Sequence, residues 1–275
     1  MEASIRMKAA DESAAFARLV LALRPYLGDL VLIGGWAQRL FRLHPWAQPV
    51  EFPPLLTQDV DVAIPKKLSP RAEGLRTLLR TAGFTERFFG EDHPPVTHYQ
   101  LGDDATFYVE FLTPLVGPPK TRTSSVAGVA VQHLPHLAIL MIEPWSISLG
   151  PPAYPLGSTP IEVRIANATG YLAQKLLVLD KRNPDARAKD ILYIHDTLLT
   201  FGRSLADLER LWIDRVAPGI HRNAARMLRG SPGALFSQTT DPARAASRVA
   251  TAAGRPVTPE EIAAVCRTGL ARVFT

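Results

Sequence analysis

Cys266 is the single cysteine of the 275-residue chain. One thiol excludes an intramolecular disulfide, and the expected setting is a reducing cytoplasm. Long hydrophobic runs are also lacking. The longest, such as "LAILMI" (137–142), are far too short to span a bilayer, so no membrane partner is expected. The opening "MEASIRMKAADESAAF" lacks the basic-then-apolar order of a secretory signal. No internal repeat or low-complexity tract is found. Acidic residues are the scarcer charge, 26 against 31 Lys and Arg, which leaves a net charge of +5 and tilts the chain towards anionic partners such as nucleotides or RNA. Seven histidines are present, but His93 and His98 in "EDHPPVTHYQ" have no common zinc spacing and read as loop residues, or one of them as a base near the acceptor. With 47% apolar and 21% charged residues, what remains is globular composition.

Residues 11–27 carry Phe16, Leu19, Val20, Leu23 and Leu27 at helical spacing, and the apolar run Leu30–Ile33 follows as a short strand ending in Gly34-Gly35. "WAQRLFRL" (36–43) has the spacing of a second helix, and the four prolines of residues 44–56 make an irregular loop. Next come a strand, "LLTQDVDVAIP" (55–65), and a helix beginning at Ser69 with Pro70 in its first turn. "VTHYQLG" and "TFYVEFLTP" read as a hairpin joined across "GDDA", and "VAVQHL", "LAILMI" and "IEVRIAN" as further strands. From about residue 168 the pattern is helical. Ser204 is the expected N-cap of "SLADLERLW", and Thr258, Pro259 and Glu261 spell a capping box. The fold class is α+β, a mixed sheet flanked by helices over residues 1–165 and an all-helical domain over 166–275.

The chemistry concentrates where charge interrupts these strands. Asp59 and Asp61 are two apart, so on a strand both leave one face while Val60, Val62 and Ile64 point into a core. Two neighbouring carboxylates stay ionised when a cation shares them. Glu110, between Val109 and Phe111, is a third acid in an apolar strand, and three carboxylates can hold two divalent ions that activate an attacking oxygen and stabilise a leaving phosphate. In "LIGGWA" a strand, two glycines and a helix start bring backbone amides within reach of a phosphate. Each motif also has a plain alternative: a soluble strand edge, a lone surface glutamate, a tight turn. Lys120 and Arg122 after the Glu110 strand, and Arg215, Arg222, Arg226 and Arg229 in the tail, are either phosphate-backbone contacts or solvated surface.

The order "GGWA", "TQDVDV", "YVEF" resembles the nucleotidyltransferase superfamily that includes DNA polymerase beta, and among its branches the antibiotic nucleotidyltransferases and the nucleotidyltransferase toxins of abortive-infection systems. The resemblance implies that Gly34 and Gly35, with Thr57, contact a triphosphate, that Asp59 and Asp61 bind Mg²⁺, and that Glu110 is the third acid. It continues through "ATGYLAQKLLVLDKRNPDARAKDILYIHDTL" (168–198), where Lys175 would meet the nucleotide phosphates and Asp190 would orient it or sit near the acceptor. A compact cation there neutralises a triphosphate that Mg²⁺ covers in part. Lys189 and Asp196 read as helix-surface charges. The insert 44–56 is longer than the family's usual link, and the likeness ends near residue 200.

What the resemblance implies is transfer of a nucleoside monophosphate from an NTP to an acceptor hydroxyl with two Mg²⁺ ions. The first reading is a toxin-like enzyme acting on tRNA or a protein, with a cognate antitoxin as partner. The alternatives are an antibiotic-modifying enzyme and a catalytically silent nucleotide-binding module.

Overall fold

The computed structural model describes residues 2–55, 57–102, 107–117, 123–237 and 239–275, with the side chains of 2–10, 231, 232 and 234 left aside. The chain divides into two compact units. The first comprises Met1–Trp36, Leu56–Ala138 and Pro144–Ile165; the second comprises Ala37–Leu55, Ile139–Glu143 and Ala166–Thr275.

The first unit holds a mixed sheet. In chain order its elements are α1 (Glu2–Leu23), β1 (Val31–Ile33), the start of α2 (Gly34–Leu40), β2 (Asp59–Ala63), α3 (Leu75–Thr81), β3 (Phe84–Phe89), β4 (Val96–Leu101), β5 (Tyr108–Pro114), β6 (Thr123–Val126), β7 (Val129–Leu134), β8 (Trp145–Leu149) and β9 (Ile161–Ile165). The strands lie in the order β3-β4-β5-β2-β1-β9-β8, with β7 paired to β5 and β6 to β7. β2 and β5 run parallel at the centre, which is why Val60, Val62, Val109 and Phe111 are almost wholly buried. The amphipathic face of α1 supplies Phe16, stacked on Trp36 at 3.9 Å between ring centres, and Trp36 meets the edge of Phe107 at 6.3 Å.

The second unit is helical, with α4 (Ala168–Val178), α5 (Pro184–Thr200), α6 (Leu205–Leu211), α7 (Arg222–Leu235), α8 (Asp241–Ala252) and α9 (Pro259–Val273). Every residue of α4 is buried, as an apolar helix at the centre of a bundle must be. Asn167 caps it by accepting from the Gly170 amide at 2.7 Å, and Asn183 caps α5 through the Ala186 amide at 2.9 Å. The capping box of Thr258 and Glu261 forms as its spacing requires. The proline-rich stretch after α2 packs on α5: Gln48 bonds the carbonyls of Leu199 and Thr200, each at 2.8 Å.

Several expectations are corrected. "LAILMI" is a 3₁₀ turn over Leu137–Met141, not a strand, while Trp145–Leu149 and Phe84–Phe89 are strands the pattern did not single out. The helix expected from Ser69 begins at Leu75, because Gly74 is its extended N-cap residue. Ser204 precedes α6, but its hydroxyl donates to the Trp46 carbonyl instead of capping. Asp196 is no surface charge. It is fully buried on α5 and accepts both guanidinium nitrogens of Arg255, at 2.8 and 2.6 Å, and lies 3.0 Å from His195 Nδ1. The "GDDA" turn past Gly102, and Lys120 and Arg122, lie outside the described residues.

Candidate active site

The centre of the sheet brings the acids of separate motifs together. β2 pairs with β5 in parallel register, Asp59 with Tyr108 and Asp61 with Glu110. Side chains in register share a face, so Asp61 and Glu110 are neighbours and Asp59 lies two positions along. All three are partly exposed, while the residues alternating with them are buried. β1 runs antiparallel on the other side of β2, and its last residue, Ile33, pairs with Asp61. Gly34 therefore leaves the sheet beside that carboxylate, with φ +63°. A Cβ at Gly34 would land on Asp61 Oδ2 and lie 3.0 Å from its Cγ, so only glycine gives this turn both its backbone angle and its room. Gly35, buried, follows in the first turn of α2. The buried Thr57 hydroxyl donates to Asp59 Oδ1 and fixes one side of that carboxylate.

The field on this face is negative. Burial first, then the Asp61 and Asp59 charges, push the Glu110 carboxyl up to about 7. Tyr108, on the same strand, is pushed up to about 12 by burial and then by Asp59, Glu110 and Asp61. His98 is a residue that the sequence names without placing it. It sits on β4, not in a loop, with Nε2 against Glu110 Oε1 and its ring stacked on Tyr108 at 4.4 Å. Burial lowers the His98 pKa, and burial followed by the Asp61 and Asp59 charges raises that of Glu110. The signal was available: the strand "VTHYQL" and its period of two carry His98 to the face opposite Tyr99, whose ring is buried.

The donor set fits a hard divalent cation. All three acids offer oxygen, and Asp61 and Glu110 stand in register on one face. Among the described residues no three Asp, Glu, His or Cys side chains close into a ready-made metal cluster.

Lys175 and Asp190 belong to the helical unit. Lys175, on α4, donates to Asp190 Oδ1 at 2.5 Å, and both are buried. Arg182 donates to the other carboxylate oxygen at 3.0 Å. The Lys175 ammonium also lies over the rings of Tyr171 and Tyr193, at 5.4 and 5.1 Å. Asp190 stands in the second turn of α5, and its partner in sequence, Lys189, reaches the Tyr193 ring at 5.7 Å.

A family model described as nucleotidyltransferase matches residues 12–214. The chain belongs to that family. This nucleotidyltransferase is thus a transferase of the nucleotidyl-transfer type, and its sheet, flanking helices and helical C-terminal region form the corresponding α+β fold. No curated protein and no solved structure matches the chain. Among the described residues no helix is long and apolar enough to cross a membrane.

Proposed function

We propose that this nucleotidyltransferase moves a nucleoside monophosphate from an NTP to a hydroxyl of a macromolecular acceptor, tRNA or protein, in a Mg²⁺-dependent reaction, and that it acts as a toxin of the abortive-infection kind. The observation that carries the catalytic part is the register of Asp61 with Glu110, with Gly34 against Asp61. Asp59, Asp61 and Glu110 are the residues that would hold magnesium, two ions in this reading, and the metal would supply neutralisation of triphosphate charge. The amides of Gly34 and Gly35 open α2 and are offered to the phosphates, with Thr57 orienting Asp59. The acceptor hydroxyl attacks the α-phosphate, pyrophosphate leaves, and the hydroxyl proton passes to Glu110, whose contact with His98 gives it an onward path. Lys175 is assigned to the nucleotide phosphates, with Asp190 orienting its ammonium. Most of the acceleration would come from positioning and electrostatics.

The macromolecular acceptor is supported by the net charge of +5 and by the resemblance to the toxin branch. The test is transfer of label from each α-labelled NTP, with Mg²⁺, to pools of tRNA, total protein and aminoglycosides. Label is expected in tRNA or protein and is expected to vanish with Asp59→Ala plus Asp61→Ala. Transfer to aminoglycosides alone would replace the toxin reading with an antibiotic-modifying one. No transfer to any pool, or transfer that survives the double substitution, would overturn the site.

A further inference from the structure

α7 presents Arg222, Arg226 and Arg229 at i, i+4 and i+7, one exposed stripe spread over about 10 Å of helix axis. The stripe lines a concave groove of about 580 Å³ whose opposite wall is the irregular segment before α7, including Ile213 and Pro218. That wall begins as a π-helical turn over Trp212–Val216, a departure from regular helix that is frequent at functional sites. Ile213 is 52% exposed and gives the groove an apolar floor. Among the described residues no acidic side chain lines it.

Many arginines of this unit are held by acids. Arg210, Arg244 and Arg272 pair with Asp207, Asp241 and Glu209. Among the described residues, Arg222, Arg226 and Arg229 pair with no Asp or Glu. Arg226 is instead braced by the Asn223 side chain at 2.8 Å and Arg229 by the Thr275 backbone oxygen at 2.9 Å. The neutral Asn223 amide fixes the Arg226 guanidinium and leaves its charge available. After Lys189 the chain contains no lysine, so its basic residues there are all arginine. Arginine is the side chain that meets phosphate through a two-pronged hydrogen bond and also stacks on a base. The family match ends at residue 214, so the stripe is a feature of this chain beyond the matched region.

We propose that this groove binds the phosphate backbone of RNA. As the docking surface of the acceptor it rests on the macromolecular-acceptor reading above. Three charges spread along a helix select a polyanion over a single small anion. The arginines hold successive phosphates, and the floor at Ile213 takes the face of an unstacked base.

The test measures binding of unfractionated tRNA by the full chain across a salt series. Arg222→Gln, Arg226→Gln and Arg229→Gln together should lower the slope of log affinity against log salt by about 2, since each lost single-strand phosphate contact removes about 0.7. At moderate salt the affinity should fall by about tenfold or more. The control replaces the acid-paired Arg210, Arg244 and Arg272 with glutamine and should leave the slope near wild type. Thermal melting shows whether each variant is folded, and the two triple variants remove the same net charge. A wild-type slope in the groove variant, an equal loss in the control, absence of tRNA binding by the wild type, or equal binding of poly-glutamate would each overturn the proposal. Asp59→Ala with Asp61→Ala should bind tRNA like the wild type. If tRNA binds with the expected slope and never receives label, the groove stands and the acceptor reading falls. If label enters tRNA equally well in the groove variant, the groove falls and the acceptor reading stands.

Discussion

Gly34→Ala tests the link between backbone and metal face with one methyl group. Gly34 has φ +63°, a region that costs an L-residue about 1–2 kcal/mol. The new Cβ would also clash with Asp61 Oδ2, so the carboxylate must rotate away. Turning a side chain about 30° off its rotamer costs about 0.5–1.5 kcal/mol. Together these give a loss of about 1.5–3.5 kcal/mol in stability, which a chain of this size tolerates while remaining folded. The functional loss should be much larger, because the group displaced is a proposed metal ligand and the amides beside it are the proposed phosphate contacts. Catalytic geometry is intolerant of displacements on the order of 1 Å, which cost about a hundredfold. The assay is urea unfolding beside release of labelled pyrophosphate in the presence of acceptor. Gly28→Ala is the control, since a Cβ there meets nothing within 4 Å. Near-wild-type turnover in Gly34→Ala, in protein destabilised by the stated amount, would refute the claim that this turn shapes the site.

Three further outcomes follow from buried groups. Asp196→Ala strands the Arg255 charge in the interior of the helical unit and should cost about 3–5 kcal/mol, a drop on the order of 10 °C in melting temperature, whereas Asp196→Leu with Arg255→Met should recover most of it. Cys266 is fully buried and its thiol is pushed up by burial and by Asp196, so the native protein should resist thiol reagents that label it at once in denaturant. Burial lowers His44 to about 4. The folded state then resists a proton that the unfolded chain accepts near 6.5, so this contribution is present above pH 6.5 and fades as the pH falls towards 4. His44→Gln should flatten the stability profile across that window, measured by urea midpoints at successive pH values.

How much of this was legible depended on the range of the interactions involved. The acidic strands were readable because a charge between valines violates a local pattern, and the period of two fixed which residues share a face. The capping box at Thr258 was readable because both its partners lie within one turn. The role of Asp196 was not, since its partner Arg255 is 59 residues away and nothing local marks either as buried. His98 was misread for the same reason: its importance comes from the pairing of β4 with β5, which brings it to Glu110. "LAILMI" failed differently. A short apolar run has no period, and Leu137, Ile139 and Leu140 are buried as a strand's would be.

The acidic face of β2 and β5 bears directly on how a nucleotide could approach. Three carboxylates share that face, and burial first and the Asp59 and Asp61 charges after it raise Glu110 to about 7 and Tyr108 to about 12. A bare triphosphate approaching such a face is repelled, and a triphosphate carrying a divalent cation is not. Nucleotide binding should therefore depend on the cation more steeply than the nucleotide's own chelation explains. Binding of a fluorescent NTP in excess EDTA should be weaker than in Mg²⁺ by at least about tenfold, or about 1.4 kcal/mol. Asp59→Asn with Asp61→Asn removes the repulsion along with the ligands. That variant should bind the metal-free nucleotide better than the wild type does, and Mg²⁺ should help it little. If EDTA leaves wild-type affinity unchanged, or if the variant loses metal-free binding too, the carboxylates are not what stands between the nucleotide and the sheet, and the metal reading of Asp59 and Asp61 fails with it.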